Sequence, residues 1–156
     1  MFVSEKIAFH AYLASTILET TYGQTIVFNQ VDTNLGGGYS GTTGVFTAPV
    51  AGTYVFSLTF EMYYYSSHAS NGELYIMKNQ DQSIRVWLEL DNNADEGTAS
   101  GTTVLSLNKG DQVYVQTCIL AETSTVTFQD FSSVDHINIY VLPLTTHSNI
   151  CVHFKY

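Results

Sequence analysis

From Gly52 to Tyr65 the chain reads GTYVFSLTFEMYYY, and its side chains sort by alternate position along the whole stretch. Tyr54, Phe56, Leu58, Phe60, Met62 and Tyr64 fall on one side, and Val55, Ser57, Thr59, Glu61, Tyr63 and Tyr65 on the other. Strand side chains point to opposite faces with a period of two, so this segment specifies a long strand with one apolar face. The other face is polar in its middle, as in an antiparallel sheet with one side packed and one side wet. Tyr63 and Tyr65 put rings on that wet face and call for a second surface to cover them.

The same patterning recurs at short intervals. Strands are expected at Lys6–Leu13, Gln24–Asn29, Val45–Thr47, Thr53–Tyr65, Glu73–Lys78, Ile84–Leu90, Thr102–Leu107, Gln112–Leu120, Thr125–Phe128 and His136–Leu142, with no helical pattern between them. Asn71-Gly72 suits a hairpin turn, Gly36-Gly37-Gly38 a flexible loop, and Asn108-Lys109-Gly110-Asp111 a connection between two strands. Ten short strands with turn chemistry between them predict an all-β jelly-roll sandwich. Three apolar rows are its expected core: Ile84, Val86, Leu88 and Leu90; Val113, Val115 and Ile119; and Ile137, Ile139 and Val141. Residues 1–144 form one domain on this reading. Residues 145–156 follow Pro143 as an appended tail, less ordered than the sandwich.

Composition agrees and excludes several functions. Only 12% of residues are charged, and Thr, Ser, Asn and aromatic residues that suit a pleated surface take their place. Fourteen acids against five bases give a net charge of −9, which disfavours nucleic acid and anionic membrane surfaces as partners. No apolar run is long enough to cross a bilayer as a helix. Cys118 and Cys151 are too few to reveal a redox compartment. Met1 leads straight into strand-like sequence with no charged and apolar leader pattern, so any secretion signal is absent from this chain and localisation is not read directly from it.

Nothing in the chain points to catalysis. It has no Gly-x-Ser-x-Gly elbow, no phosphate loop and no His-Glu-x-x-His helix. His10 and His136 fall in expected strands as solvent-facing or hydrogen-bonded polar residues. His147, Cys151 and His153 lack a fourth ligand and lie in the tail, which does not make a zinc site.

One spaced set of residues carries a family resemblance. Phe28, Asn34, Tyr39, Phe46, Gly52, Tyr54 and Phe56 stand with gaps of five, four, six, five, one and one residues, and this spacing resembles the signature of complement C1q globular-head domains. Ile7–Leu13 looks like that family's opening strand, and Leu105-x-Leu107-x-x-Gly110-Asp111-x-Val113 like its penultimate hairpin. Leu58 departs from the aromatic usual at the end of the signature, and His136–Tyr140 departs from the usual Phe-x-Gly-Phe strand. No Gly-X-Y run precedes the domain in this chain, so a collagen stalk is either absent or lies outside it, and the organisation resembles that of a stalkless, invertebrate-style member. Most signature residues also have a structural reading: rings of this size fill a layer between sheets about 10 Å apart, and Gly52 admits the chain into its strand after Pro49.

The resemblance implies a homotrimer packed as in tumour necrosis factor folds. Tyr63, Tyr65, Trp87, Tyr114 and Tyr140 are the rings expected at its interface. It also implies a non-enzymatic, secreted pattern-recognition protein that binds glycans or microbial surfaces, with a structural or cell-adhesion trimer binding a protein receptor as the alternative. Between Glu89 and Gly97, four of the fourteen acids fall within eight residues. Glu89, Asp91, Asp95 and Glu96 offer the hard oxygen ligands that calcium selects, and related head domains place calcium carboxylates near the corresponding loop; the alternative is a solvated acidic loop. Asn92, Asn93, Thr98 and Ser100 offer hydrogen bonds to ligand hydroxyls.

Overall fold

The computed structural model describes residues 6–13, 23–63, 70–90 and 96–117. Nine strands run through them: β1 (Ala8–Tyr12), β2 (Gln30–Leu35), β3 (Tyr39–Ser40), β4 (Val45–Thr47), β5 (Gly52–Tyr63), β6 (Ser70–Lys78), β7 (Asp81–Leu90), β8 (Glu96–Leu107) and β9 (Gln112–Thr117). All strand pairs are antiparallel. β3, β4, β9, β6 and β7 form a five-stranded sheet in that order, β5 pairs with β8, and β1 pairs with β2. The expected strands at Thr125–Phe128 and His136–Leu142, the core candidates Ile119, Ile137, Ile139 and Val141, and residues 145–156 lie outside the described residues.

The β5 alternation is realised as read. Tyr54, Phe56, Leu58 and Phe60 are buried, while Val55, Ser57, Thr59 and Glu61 are partly exposed. Leu74 and Ile76 of β6, Val86 of β7, and Val113 and Val115 of β9 close the core from the five-stranded sheet, with Ile84 and Leu88 packed against its margin. Phe46 of β4 meets Tyr54 and Phe56 of β5 edge-on, each at 5.6 Å between ring centres. Phe9 of β1 stacks on Tyr39 at 4.5 Å and on Phe46 at 5.2 Å. These rings join all three sheets, and offset or edge-on pairs add directional attraction to the burial of apolar area.

The structure places several local expectations differently or more closely. Gln24–Asn29 forms no strand: Thr25 makes a single bridge to Gln116, and the regular pairing comes later, in β2, where every residue from Gln30 to Leu35 is exposed. The Phe28 backbone is bonded to the Tyr39 hydroxyl instead of to a neighbouring strand. Asn71-Gly72 is not a turn but lies within β6, paired with Glu89 and Leu88. The turn falls instead at Asn79-Gln80, where Asn79 takes a left-handed φ of 55°, as a two-residue hairpin loop demands. The Asn108–Asp111 turn connects two strands as expected, β8 and β9, but these belong to different sheets, so it closes no hairpin; its Gly110 N–H donates to the Ala48 carbonyl at 2.8 Å. Gly36-Gly37-Gly38 includes a turn in which the Gly37 N–H donates to the Asn34 carbonyl at 3.3 Å. A Cβ on Gly38 would stand 2.5 Å from the Phe46 ring, so the core aromatic requires glycine there. Gly52 faces no such demand, since a Cβ there would meet Tyr54 at an ordinary 3.6 Å.

Candidate functional site

The outward face of the β6–β7 hairpin carries the polar cluster that the packing of the fold does not use. Alternation turns Leu74, Ile76 and Val86 inward, and therefore turns Glu73, Tyr75, Arg85, Trp87 and Glu89 outward. Glu73 and Trp87 are direct cross-strand partners, as are Tyr75 and Arg85. The Tyr75 hydroxyl donates to Glu73 Oε1 at 2.8 Å, and Arg85 Nη1 lies 3.1 Å from the same oxygen. Glu73 is only 4% exposed, and its second oxygen, Oε2, has no hydrogen-bond partner among the described residues. A buried acceptor left unmet costs about 1–3 kcal/mol, more for a charged group. Trp87, the chain's single tryptophan, is 47% exposed, with the Arg85 guanidinium carbon 5.9 Å from its ring centre.

Of the acidic residues singled out by the sequence, Glu89 borders this face. Glu89 is exposed on β7, two residues beyond Trp87, and Glu96 is exposed at the start of β8, paired with Tyr63 of β5. Asp91, Asn92, Asn93 and Asp95 lie outside the described residues. Among the described residues no three potential metal-ligating side chains converge. Thr98 and Ser100 are exposed on β8, opposite Glu61 and Thr59.

The expected interface rings divide between layers. Trp87 and the half-buried Tyr114 belong to the five-stranded sheet, and Tyr63 ends β5 in the other; Tyr65 and Tyr140 lie outside the described residues. His10 sits 3.3 Å from Asp32 across β1 and β2, and His136 lies outside the described residues. A groove of about 570 Å³ between the Gly36–Ser40 turn and the Lys109-Gly110 turn gathers none of the expected ligand residues. Sequence reasoning missed Glu73, Tyr75 and Arg85. Their period-two spacing was visible, but their convergence on one carboxylate depends on the β6–β7 register.

An all-antiparallel arrangement with a five-stranded sheet facing the β5–β8 pair across an aromatic core, and a polar and aromatic patch on a strand face, is that of a jelly-roll domain of the C1q and tumour necrosis factor kind. The chain belongs to the C1q domain family, whose pattern it matches over residues 8–132. It is 33% identical over 112 residues to mouse (Mus musculus) complement C1q tumor necrosis factor-related protein 3, covering 71% of this chain and 43% of that protein. It is likewise 33% identical over 113 residues to zebrafish (Danio rerio) Caprin-2, covering 71% of this chain and 12% of that protein. The chain thus spans less than half the length of these relatives. Among solved structures, the globular domain of zebrafish complement 1qA superposes with a TM-score of 0.62 at 21% identity, over 90% of this chain and 98% of that one. Murine APRIL superposes with a TM-score of 0.63 at 11% identity, over 89% of this chain and 99% of that one. At such identities the likeness concerns the fold. Among the described residues, no helix is long and apolar enough to cross a membrane.

Proposed function

We propose that this chain is a secreted, non-enzymatic recognition protein of innate immunity that binds glycans or microbial surface ligands multivalently as a homotrimer. The observation that carries this reading is the half-exposed Trp87 beside Arg85 and Glu73 on a strand face. Exposed Trp and Arg are the residue types most often found where binding energy concentrates.

Calcium is the cofactor on this reading, held by Glu89, Asp91, Asp95 and Glu96. A bound cation lets a protein of net charge −9 approach anionic or hydroxyl-rich surfaces. Asn92, Asn93, Thr98 and Ser100 supply hydrogen bonds to ligand hydroxyls at the same edge.

The trimer contact is assigned to the outward face of β5 and β8. There Val55 stands opposite Val104, which is 59% exposed, among Thr and Ser side chains. Tyr63, at the end of β5, belongs to this contact on the proposal, while Trp87 and Tyr114 lie on the other sheet. Three weak sites on one rigid body gain avidity on a repeating surface.

A glycan array probed with and without chelator tests the reading. Carbohydrate signals that fade with chelator support it. A blank array together with capture of a single protein receptor replaces it with a cell-adhesion or organiser trimer.

A further inference from the structure

The pair formed by Glu73 and Arg85 is close to neutral, and it leaves one acceptor and several donors unused among the described residues. Glu73 Oε1 takes the Tyr75 hydroxyl at 2.8 Å and Arg85 Nη1 at 3.1 Å, while Oε2 is buried without a partner. Arg85 spends one nitrogen on this contact, and its side chain is 52% exposed. Directly across the strand pair from Glu73 stands Trp87, whose ring the guanidinium covers only loosely, at the outer limit of cation–π contact. The three side chains come from two adjacent strands whose register runs unshifted from Ser70 to Ile76, so the site is built on strands and not on a loop.

From this arrangement we infer that the outward face of β6–β7 is a saccharide subsite for a neutral pyranose, independent of calcium. The assignment rests on the glycan reading above and names where and how the sugar is held. Charge selects the ligand class. A cationic ligand would meet Arg85 at the same carboxylate, and an anionic one would meet Glu73 on a protein of net charge −9. A neutral polyol meets neither penalty. One sugar hydroxyl donates to Glu73 Oε2, a second oxygen accepts from Arg85, and the C–H face of the ring lies on the exposed indole. Oε2 is buried, so on this proposal the exposed Arg85 side chain and its neighbours on the face rearrange as the sugar hydroxyl reaches it. The unmet buried acceptor is thereby satisfied in the complex, and a site that hydrogen-bonds a hydroxyl discriminates strongly against an analogue without it.

Because Trp87 is the chain's single tryptophan, its emission reports on this site alone. The intact protein is titrated in chelator with mannobiose, lactose and N,N′-diacetylchitobiose, and with sialyllactose as the anionic comparison. At least one neutral sugar is expected to give a saturable emission change that calcium does not alter, with sialyllactose weaker. By calorimetry, Trp87→Ala abolishes that binding, and Glu73→Gln weakens it about tenfold or more. Trp87→Ala alters an exposed side chain, so it carries the test even if Glu73→Gln fails to fold. Array-positive glycans that bind both variants with unchanged affinity overturn this subsite while leaving the glycan reading intact. So does neutral-sugar binding that appears only with calcium, or a preference for sialyllactose. No saccharide binding by array, calorimetry or emission removes both.

Discussion

The Tyr39 hydroxyl holds the backbone of Phe28 at both ends: it donates to the Phe28 carbonyl at 3.1 Å and accepts the Phe28 N–H at 3.2 Å. Eleven residues separate the two, and both are buried. Asn34, between them in sequence, repeats the device on Tyr39 itself. Its Nδ2 donates to the Tyr39 carbonyl at 2.8 Å, and its Oδ1 accepts the Tyr39 N–H at 3.1 Å. The first half of the sequence signature is thus a hydrogen-bond circuit that satisfies buried backbone at Phe28, which lies outside any strand, and ties the end of β2 to β3.

Replacing Tyr39 by Phe orphans the Phe28 N–H and carbonyl and should cost about 1–3 kcal/mol in urea denaturation. Burial pushes the Tyr39 hydroxyl up from 10.0 to about 12, against a smaller opposing effect of its bond to Phe28. A folded-state value above the unfolded one means that this contribution is complete below pH 10.0 and is lost as pH rises towards about 12. The wild type should therefore lose stability across that window more steeply than Tyr39→Phe, and melting temperatures measured along it check the difference.

Phe56→Ala should destabilise by about 3–5 kcal/mol, because the ring is 1% exposed and its cavity is lined by Phe46 and Tyr54. Glu61→Ala, on the other face of β5, should stay within about 0.5 kcal/mol. Equal denaturation midpoints for the two variants would contradict the assignment of the strand's faces.

Asp111 organises the turn between β8 and β9. Its Oδ2 accepts the Asn108 N–H at 2.9 Å and lies 3.7 Å from Lys78 Nζ, while Oδ1 accepts from Asn79 at 3.4 Å. The backbone bond from Asn108 is the main cause that holds its carboxyl below the ordinary 3.8. A lowered folded-state value contributes stability above pH 3.8 that disappears as pH falls through it. Asp111→Asn should flatten the acid limb of the melting-temperature profile below about pH 4.

Calcium should raise thermal stability if Glu89, Asp91, Asp95 and Glu96 hold it. About 100-fold excess over the dissociation constant adds about 2.7 kcal/mol when only the folded state binds. An Asp95→Asn, Glu96→Gln double variant should lose this response. A melting temperature that follows ionic strength equally in sodium chloride would return the loop to a solvated acidic face.

Light scattering should give about three times the 17.3 kDa chain mass at micromolar concentration. Val104→Asp puts a charge into the proposed β5–β8 contact and should shift the mass towards one chain; an unchanged trimer would place the contact elsewhere.

The sequence by itself determined the all-β class, the two faces of β5 and the aromatic layer of the core. Each follows from a local period of two and from rings too large to leave in water, so neighbours in the chain carry the information. The spaced signature, too, was legible before its hydrogen bonds were. Tertiary structure alone decided where pairing starts and stops. Gln30–Leu35 shows no apolar period because both of its faces are exposed, and Asn71-Gly72 yields its turn chemistry to the pairing of β6 with β7. It also decided the candidate site. Glu73 reads as an ordinary polar residue of a wet face, yet register places Arg85 and Trp87 beside it and burial reduces its exposure to 4%. Whether a carboxylate is solvated or buried depends on side chains brought from another strand, and no local pattern encodes that neighbourhood.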